Sequence, residues 1–66
     1  MNNTFGKRLK QIRKNKKISQ KELADISGVS TPSISSFENG HRMPNLYHFR
    51  LICKALEVKS SDLIDF

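Results

Sequence analysis

Cysteine occurs once in this chain, at Cys53. A lone cysteine cannot close an internal disulfide, so no covalent staple is expected, and such usage suits a reducing compartment. Long apolar runs are also missing. There is no signal-peptide core and no segment able to span a bilayer, so no membrane role is expected and the cytoplasm is the expected location. No stretch sustains a period-two alternation, and Val and Thr are too few and scattered for a sheet. Catalytic groupings are absent. No His, carboxylate and nucleophile fall together with any positional logic, and no glycine-rich phosphate cradle occurs. His41, His48 and Cys53 lack the spacing of a metal site, since His48 and Cys53 are five apart and face different sides of a helix. The expectation is therefore a protein that is not an enzyme and needs no cofactor or metal.

Acids are absent from the first 21 residues, which carry Lys7, Arg8, Lys10, Arg13, Lys14, Lys16, Lys17 and Lys21. The remainder holds four bases and six acids, so a net charge of +6 is concentrated at one end. A basic end on a small domain points to a polyanion, most often nucleic acid. The 66 residues suffice for one small domain, 1–66, of modest stability. That length leaves no room for a ligand-sensing domain. Regulation is expected to come from protein concentration, oligomerisation or a separate protein antagonist.

The periodicity is helical throughout. Phe5, Leu9 and Ile12 form one stripe of a first helix over Thr4 to Asn15. "ISQKEL" places Ser19 as N-cap and Glu22 at N3, a capping box, with Ile18 and Leu23 at staple positions. This second helix carries Leu23 and Ala24 inward and ends before Gly28. Five of the seven residues from Ser30 to Ser36 carry a hydroxyl, which by composition reads as a loop. Yet Ser30 repeats the serine cap, Val29 and Ile34 repeat the staple, and Pro32 sits in a first turn that tolerates it. Ile34 and Phe37 share a face, so the stretch is predicted as a short third helix closing at Gly40. Pro44 and Asn45 open a fourth helix with Leu46, Phe49, Ile52, Cys53 and Leu56 as its core stripe. Ser60 or a neighbour caps a last turn holding Asp62, Leu63 and Ile64. The expected fold class is all-α, a compact domain of five helices.

Two short helices joined by a tight glycine turn suggest a helix-turn-helix over about residues 19–39. Thr31, Pro32, Ser33, Ser35 and Ser36 point outward on its second helix. Small hydroxylated side chains let a helix lie deep in a major groove and bond base edges or phosphates. An ordinary solvated face is the bland alternative.

The run "ISQKELADISGVSTPSISSFENGHRMPNL" resembles the helix-turn-helix of the lambda-repressor/Cro type, or xenobiotic-response-element family. The marks are Ser19-Gln20, Glu22-Leu23-Ala24, Gly28-Val29-Ser30, Ile34-Ser35, Glu38-Asn39-Gly40 and Pro44, continuing through Leu56, Val58 and Leu63-Ile64. The resemblance implies double-stranded DNA as partner, with Ser19 and Gln20 on a phosphate and Thr31, Pro32, Ser33 and Ser36 at bases. Asn39, His41 and Arg42 would then grip the backbone, with the minor groove as the alternative for Arg42, and Arg13 and Glu38 would form a structural ion pair, with a phosphate as a secondary contact of Arg13. Such proteins often dimerise through C-terminal helices. Here Tyr47, Leu51 and Ala55 form a second apolar line, and Leu51, Ile64 and Phe66 are the expected contacts of a homodimer.

The expected function is a sequence-specific transcription regulator that represses from a palindromic operator, with activation through polymerase contact as the opposite sign. Departures from the family matter, because the reader helix offers no Gln, Arg, Lys or Asn before Asn39. Specificity then leans on DNA shape. Two rivals follow: an antitoxin or adaptor working mainly through a protein partner, and a weakly specific nucleic-acid binder.

Overall fold

A computed structural model describes residues 4–64. Among them are five helices and no strand, in the order α1 (Thr4–Asn15), α2 (Gln20–Ser27), α3 (Thr31–Glu38), α4 (Leu46–Leu56) and α5 (Ser60–Leu63). Four of the starts have a local cause. Ser19 Oγ accepts the Glu22 N–H at 3.0 Å while Glu22 Oε1 accepts the Ser19 N–H at 2.8 Å, the reciprocal box expected there. Ser30 Oγ accepts from the Ser33 N–H, and Asn45 Oδ1 accepts from the His48 N–H at 2.8 Å. At α5 the cap position is Lys59, and the Asp62 carboxylate takes its N–H at 3.0 Å.

Three of the ends follow one pattern. α1, α3 and α4 each close with a residue in the left-handed region, followed by an N–H that reaches back five residues. These are Ile18 to Arg13, His41 to Ser36 and Val58 to Cys53. Glycine fills that left-handed position after α3, at Gly40, but Lys17 and Glu57 occupy it after α1 and α4. α2 ends at Gly28, also left-handed, through a single bond from its N–H to Ala24 O.

Phe5, Leu9, Leu23, Val29, Ile34, Phe37, Ile52, Leu56 and Leu63 form the core. α1 packs on α3 and α5, α2 on α3 and α4, and α4 on α5. The Phe5 ring stands edge-on to Phe37 and tilted against Phe49, with centroids 6.2 and 5.8 Å away. It thereby joins α1, α3 and α4. The residues of both predicted staples reach the core: Ile18 lies half-buried against it, and Leu23, Val29 and Ile34 are fully inside.

One part of the α4 stripe is corrected. Leu46 is 72 % exposed, and the buried stripe begins at Phe49. Leu46 is the first residue of the helix, one turn beyond the part covered by neighbours. Two features had no reading in the pattern. Ser27 is buried, and its hydroxyl accepts the Val29 N–H at 3.1 Å, which tightens the turn. Gly6 is buried where a Cβ would run into the Phe37 carbonyl oxygen, so α1 and α3 approach closely there.

Candidate nucleic-acid interface

The turn between α2 and α3 is Gly28, Val29 and Ser30. Val29 and Ile34 anchor it from beneath, and the Ser30 cap fixes the direction in which α3 leaves. With Ile34 and Phe37 buried, the opposite side of α3 is held at the surface. Pro32 is exposed, while Thr31, Ser33, Ser35 and Ser36 are half-buried. The row is thus partly shielded by its own backbone and neighbours, but none of it enters the core.

These hydroxyls are partly committed. Ser30 Oγ lies 2.8 Å from Ser33 Oγ, and Asn39 Nδ2 donates to Ser35 Oγ at 3.4 Å. Thr31 and Ser36 have no side-chain hydrogen bond among the described residues, and their hydroxyls can serve an outside partner. Asn39, His41 and Arg42 follow directly and are exposed. Arg42 lies over the Phe37 ring, its guanidinium carbon 5.7 Å from the centroid. That contact orients the cation at the C-terminal end of α3.

At the other end of the motif, Ser19 is exposed and its oxygen is engaged in the capping box. Gln20 is half-buried, and its Nε2 donates to Glu38 Oε1 at 3.0 Å. The same carboxylate receives Arg13 Nε on Oε2 at 2.7 Å and Arg13 Nη2 on Oε1 at 3.0 Å. Arg13 Nη1 donates to Ile18 O at 2.8 Å. The side chains of Arg13 and Glu38 are only 9 % and 1 % exposed. The hydrogen bond to Glu38 raises the Arg13 pKa above its ordinary value, with the Glu38 charge helping and burial opposing.

One carboxylate therefore ties α1, the start of α2 and the end of α3 together. The pair Arg13–Glu38 stands as expected. The link to Gln20 was not anticipated, and only the spatial meeting of helix ends could have disclosed it. A side-chain amide carries two hydrogens. One is held by Glu38, which leaves the other for a second acceptor.

The expected dimer residues lie on another side. Leu51 is half-buried on α4, in a hollow with Leu46, Tyr47, Arg50 and Lys54. Ile64 is half-buried in a second hollow with Met43, Pro44, Leu46 and Phe49. Leu46 borders both, so the two hollows adjoin along a strip of Leu46, Tyr47, Leu51 and Ile64, with Arg50 and Lys54 at its edge. Met43 at 54 % and Tyr47 at 68 % exposure add to it. Phe66 lies outside the described residues. Among these residues no helix is long and apolar enough to cross a membrane.

Comparison with known proteins places this geometry. The chain is 34 % identical over 60 residues to the antitoxin PezA of Streptococcus pneumoniae, covering 91 % of this chain and 38 % of that protein. It is 34 % identical over 62 residues to the HTH-type transcriptional repressor RghR of Bacillus subtilis, covering 92 % and 46 %. It thus spans less than half the length of either. The crystal structure of the restriction-modification controller protein C.AhdI of Aeromonas hydrophila superimposes with a TM-score of 0.88 at 31 % identity, covering 92 % of both chains. A family model described as helix-turn-helix matches residues 9–63. With the α2–α3 motif, its caps and its surface row already in place, these matches settle the assignment: the chain belongs to the xenobiotic-response-element type of the helix-turn-helix family of transcriptional regulators.

Proposed function

We propose that this chain binds double-stranded DNA by laying α3 in the major groove, as a homodimer on a roughly palindromic operator, and represses by occupying promoter DNA. The observation that supports this most is the capped α3, whose outer row is polar while Ile34 and Phe37 are buried beneath it. In this reading Thr31, Pro32, Ser33 and Ser36 face bases. Ser19, Gln20, Asn39, His41 and Arg42 hold phosphates on either side. The whole chain acts as one DNA-binding domain and works in the cytoplasm.

Pro32 offers only apolar contact, and the hydroxyls give no bidentate bond of the kind worth about 1–3 kcal/mol per base. Discrimination therefore relies on how closely a thin helix can seat and on the deformability of the duplex. A two-fold pair would hold its reader helices about 34 Å apart, one turn of DNA. The strip of Leu46, Tyr47, Leu51 and Ile64 is the surface proposed to join the two copies.

Selection of bound duplexes from a random pool tests the proposal. A regulator should enrich a two-fold motif and hold it at least about 10³-fold more tightly than random duplex at physiological salt. Enrichment of no motif, or an equal grip on all duplexes, would reject it in favour of a sequence-blind binder. Thr31→Ala with Ser36→Ala should change the enriched motif. Gln20→Ala should weaken all duplexes alike.

The match to a protein named an antitoxin, with the exposed strip on α4, favours a second reading in which a protein partner occupies that strip. Recovery of a stoichiometric partner from the cell, together with only random-level DNA binding, would favour it.

A further inference from the structure

α1 has a face that the helix-turn-helix does not use. Lys7, Lys10, Gln11, Lys14 and Asn15 line one shallow hollow, and all five are exposed. At about 100° per residue, Lys7, Gln11 and Lys14 fall opposite Phe5, Leu9 and Arg13. The latter side is buried, and through Gly6 and Arg13 it meets α3. Lys7 and Lys14 therefore lie across α1 from its buried side, and Lys10 sits at the edge of the same face nearer to α3. Among the described residues no acid pairs with Lys7, Lys10 or Lys14.

The composition of the face decides its partner. An amphipathic helix seats in a membrane surface through apolar side chains beside its cations. Here the apolar side of α1 is committed to the core. A protein interface is built on Tyr, Trp, Arg or Met anchors and is poor in lysine. This face has lysine, Gln11 and Asn15 only. Lysine is a flexible, strongly hydrated point charge, which suits a phosphate backbone whatever its sequence. From Lys7 to Lys14 the helix rises about 10 Å, a length over which a duplex carries about six charges.

Building on the reading that α3 seats an operator, we propose that the outer face of α1 binds the phosphate backbone of a second duplex, whatever its sequence. A protein held on its operator through α3 then tethers another DNA segment through α1.

A two-duplex capture assay tests this. The duplex enriched from the random pool is immobilised and loaded with protein. A labelled duplex of scrambled sequence is then added at moderate salt. The wild type should retain the labelled duplex in proportion to the protein loaded. The triple variant Lys7→Gln, Lys10→Gln, Lys14→Gln keeps helix propensity, because Lys and Gln are near-equivalent. It should load on the operator to within about threefold but lose about tenfold or more of the capture, with the salt slope of capture reduced by about 3. A wild type that loads yet captures nothing overturns this inference and leaves the operator reading standing. A variant that captures as well as the wild type overturns it too. So does one whose operator affinity falls in step with capture, since the lysines would then serve the same duplex. A wild type that fails to load overturns the operator reading, and this inference falls with it.

Discussion

At the scale of single residues, Glu38 matters most to the arrangement. Its side chain is 1 % exposed and receives three hydrogen bonds, two from Arg13 and one from Gln20. Removing one partner leaves a charge in a site where water cannot replace it. Arg13→Ala or Glu38→Ala should cost about 3–5 kcal/mol in denaturant unfolding. Arg13→Lys should recover only part, because an ammonium cannot make both fork bonds and also reach Ile18 O. The Arg13 pKa is raised on folding, so its contribution is fully present below the unfolded value and is lost only as pH rises through the folded one. That window lies beyond ordinary working pH, and the cost of Arg13→Ala should be the same at neutral and mildly alkaline pH. Cys53 gives a second residue-scale prediction. Burial pushes its thiol pKa up, with the Asp62 charge adding to it. The thiolate is the reactive form. Alkylation of the native protein at neutral pH should therefore be slower than that of the denatured chain, and should accelerate only above the ordinary thiol range.

At the scale of elements, helix ends carry the predictions. Glu57 sits at φ 57° past α4, in a conformation that L residues adopt at a cost, and it brings a negative charge to the C-terminal end of the helix. Glu57→Gly removes both penalties and should raise stability by about 1 kcal/mol, read as a higher Tm. Gly6→Ala should act oppositely. A methyl there meets the backbone of Phe37 and Glu38, so α1 must move off α3, at about 1–3 kcal/mol. The starts of α2, α3 and α4 were legible because serine or asparagine caps act over three or four residues, a range that sequence displays directly. Two of the ends were not legible as such. Lys17 and Glu57 take the position that glycine marks elsewhere, and only closure of the backbone bonds behind them reveals it. Gly6 carries no signal in the helical pattern of α1. Its role lies in the distance to another helix, which no local pattern encodes.

For the whole molecule, the question is how two copies would meet. Leu46 is 72 % exposed at the start of α4 and borders both apolar hollows. Leu46→Glu should leave the fold intact, since a carboxylate suits the first turn of a helix. It should also convert the proposed dimer to monomer in sedimentation and lower operator affinity by about tenfold or more. A variant that still sediments as a dimer would place the interface elsewhere. The same surface shows where periodicity misleads. Leu46 has the spacing of a core residue, yet burial depends on which neighbours cover each turn, and the neighbours of α4 begin one turn later.

By itself the sequence determined the five helices, the capped turn between α2 and α3 and the polar row on α3. Each arises from contacts within about four residues, through caps, staples and the 3.6-residue period. Only the tertiary structure decided that Gln20 shares Glu38 with Arg13, that Gly6 lets α1 touch α3, and that Leu46 stays outside while Lys7, Lys10 and Lys14 line one exposed hollow of α1. Those features depend on the angles and distances at which separate helices cross. These are set by the packing of Phe5, Phe37 and their neighbours, not by any one stretch of chain.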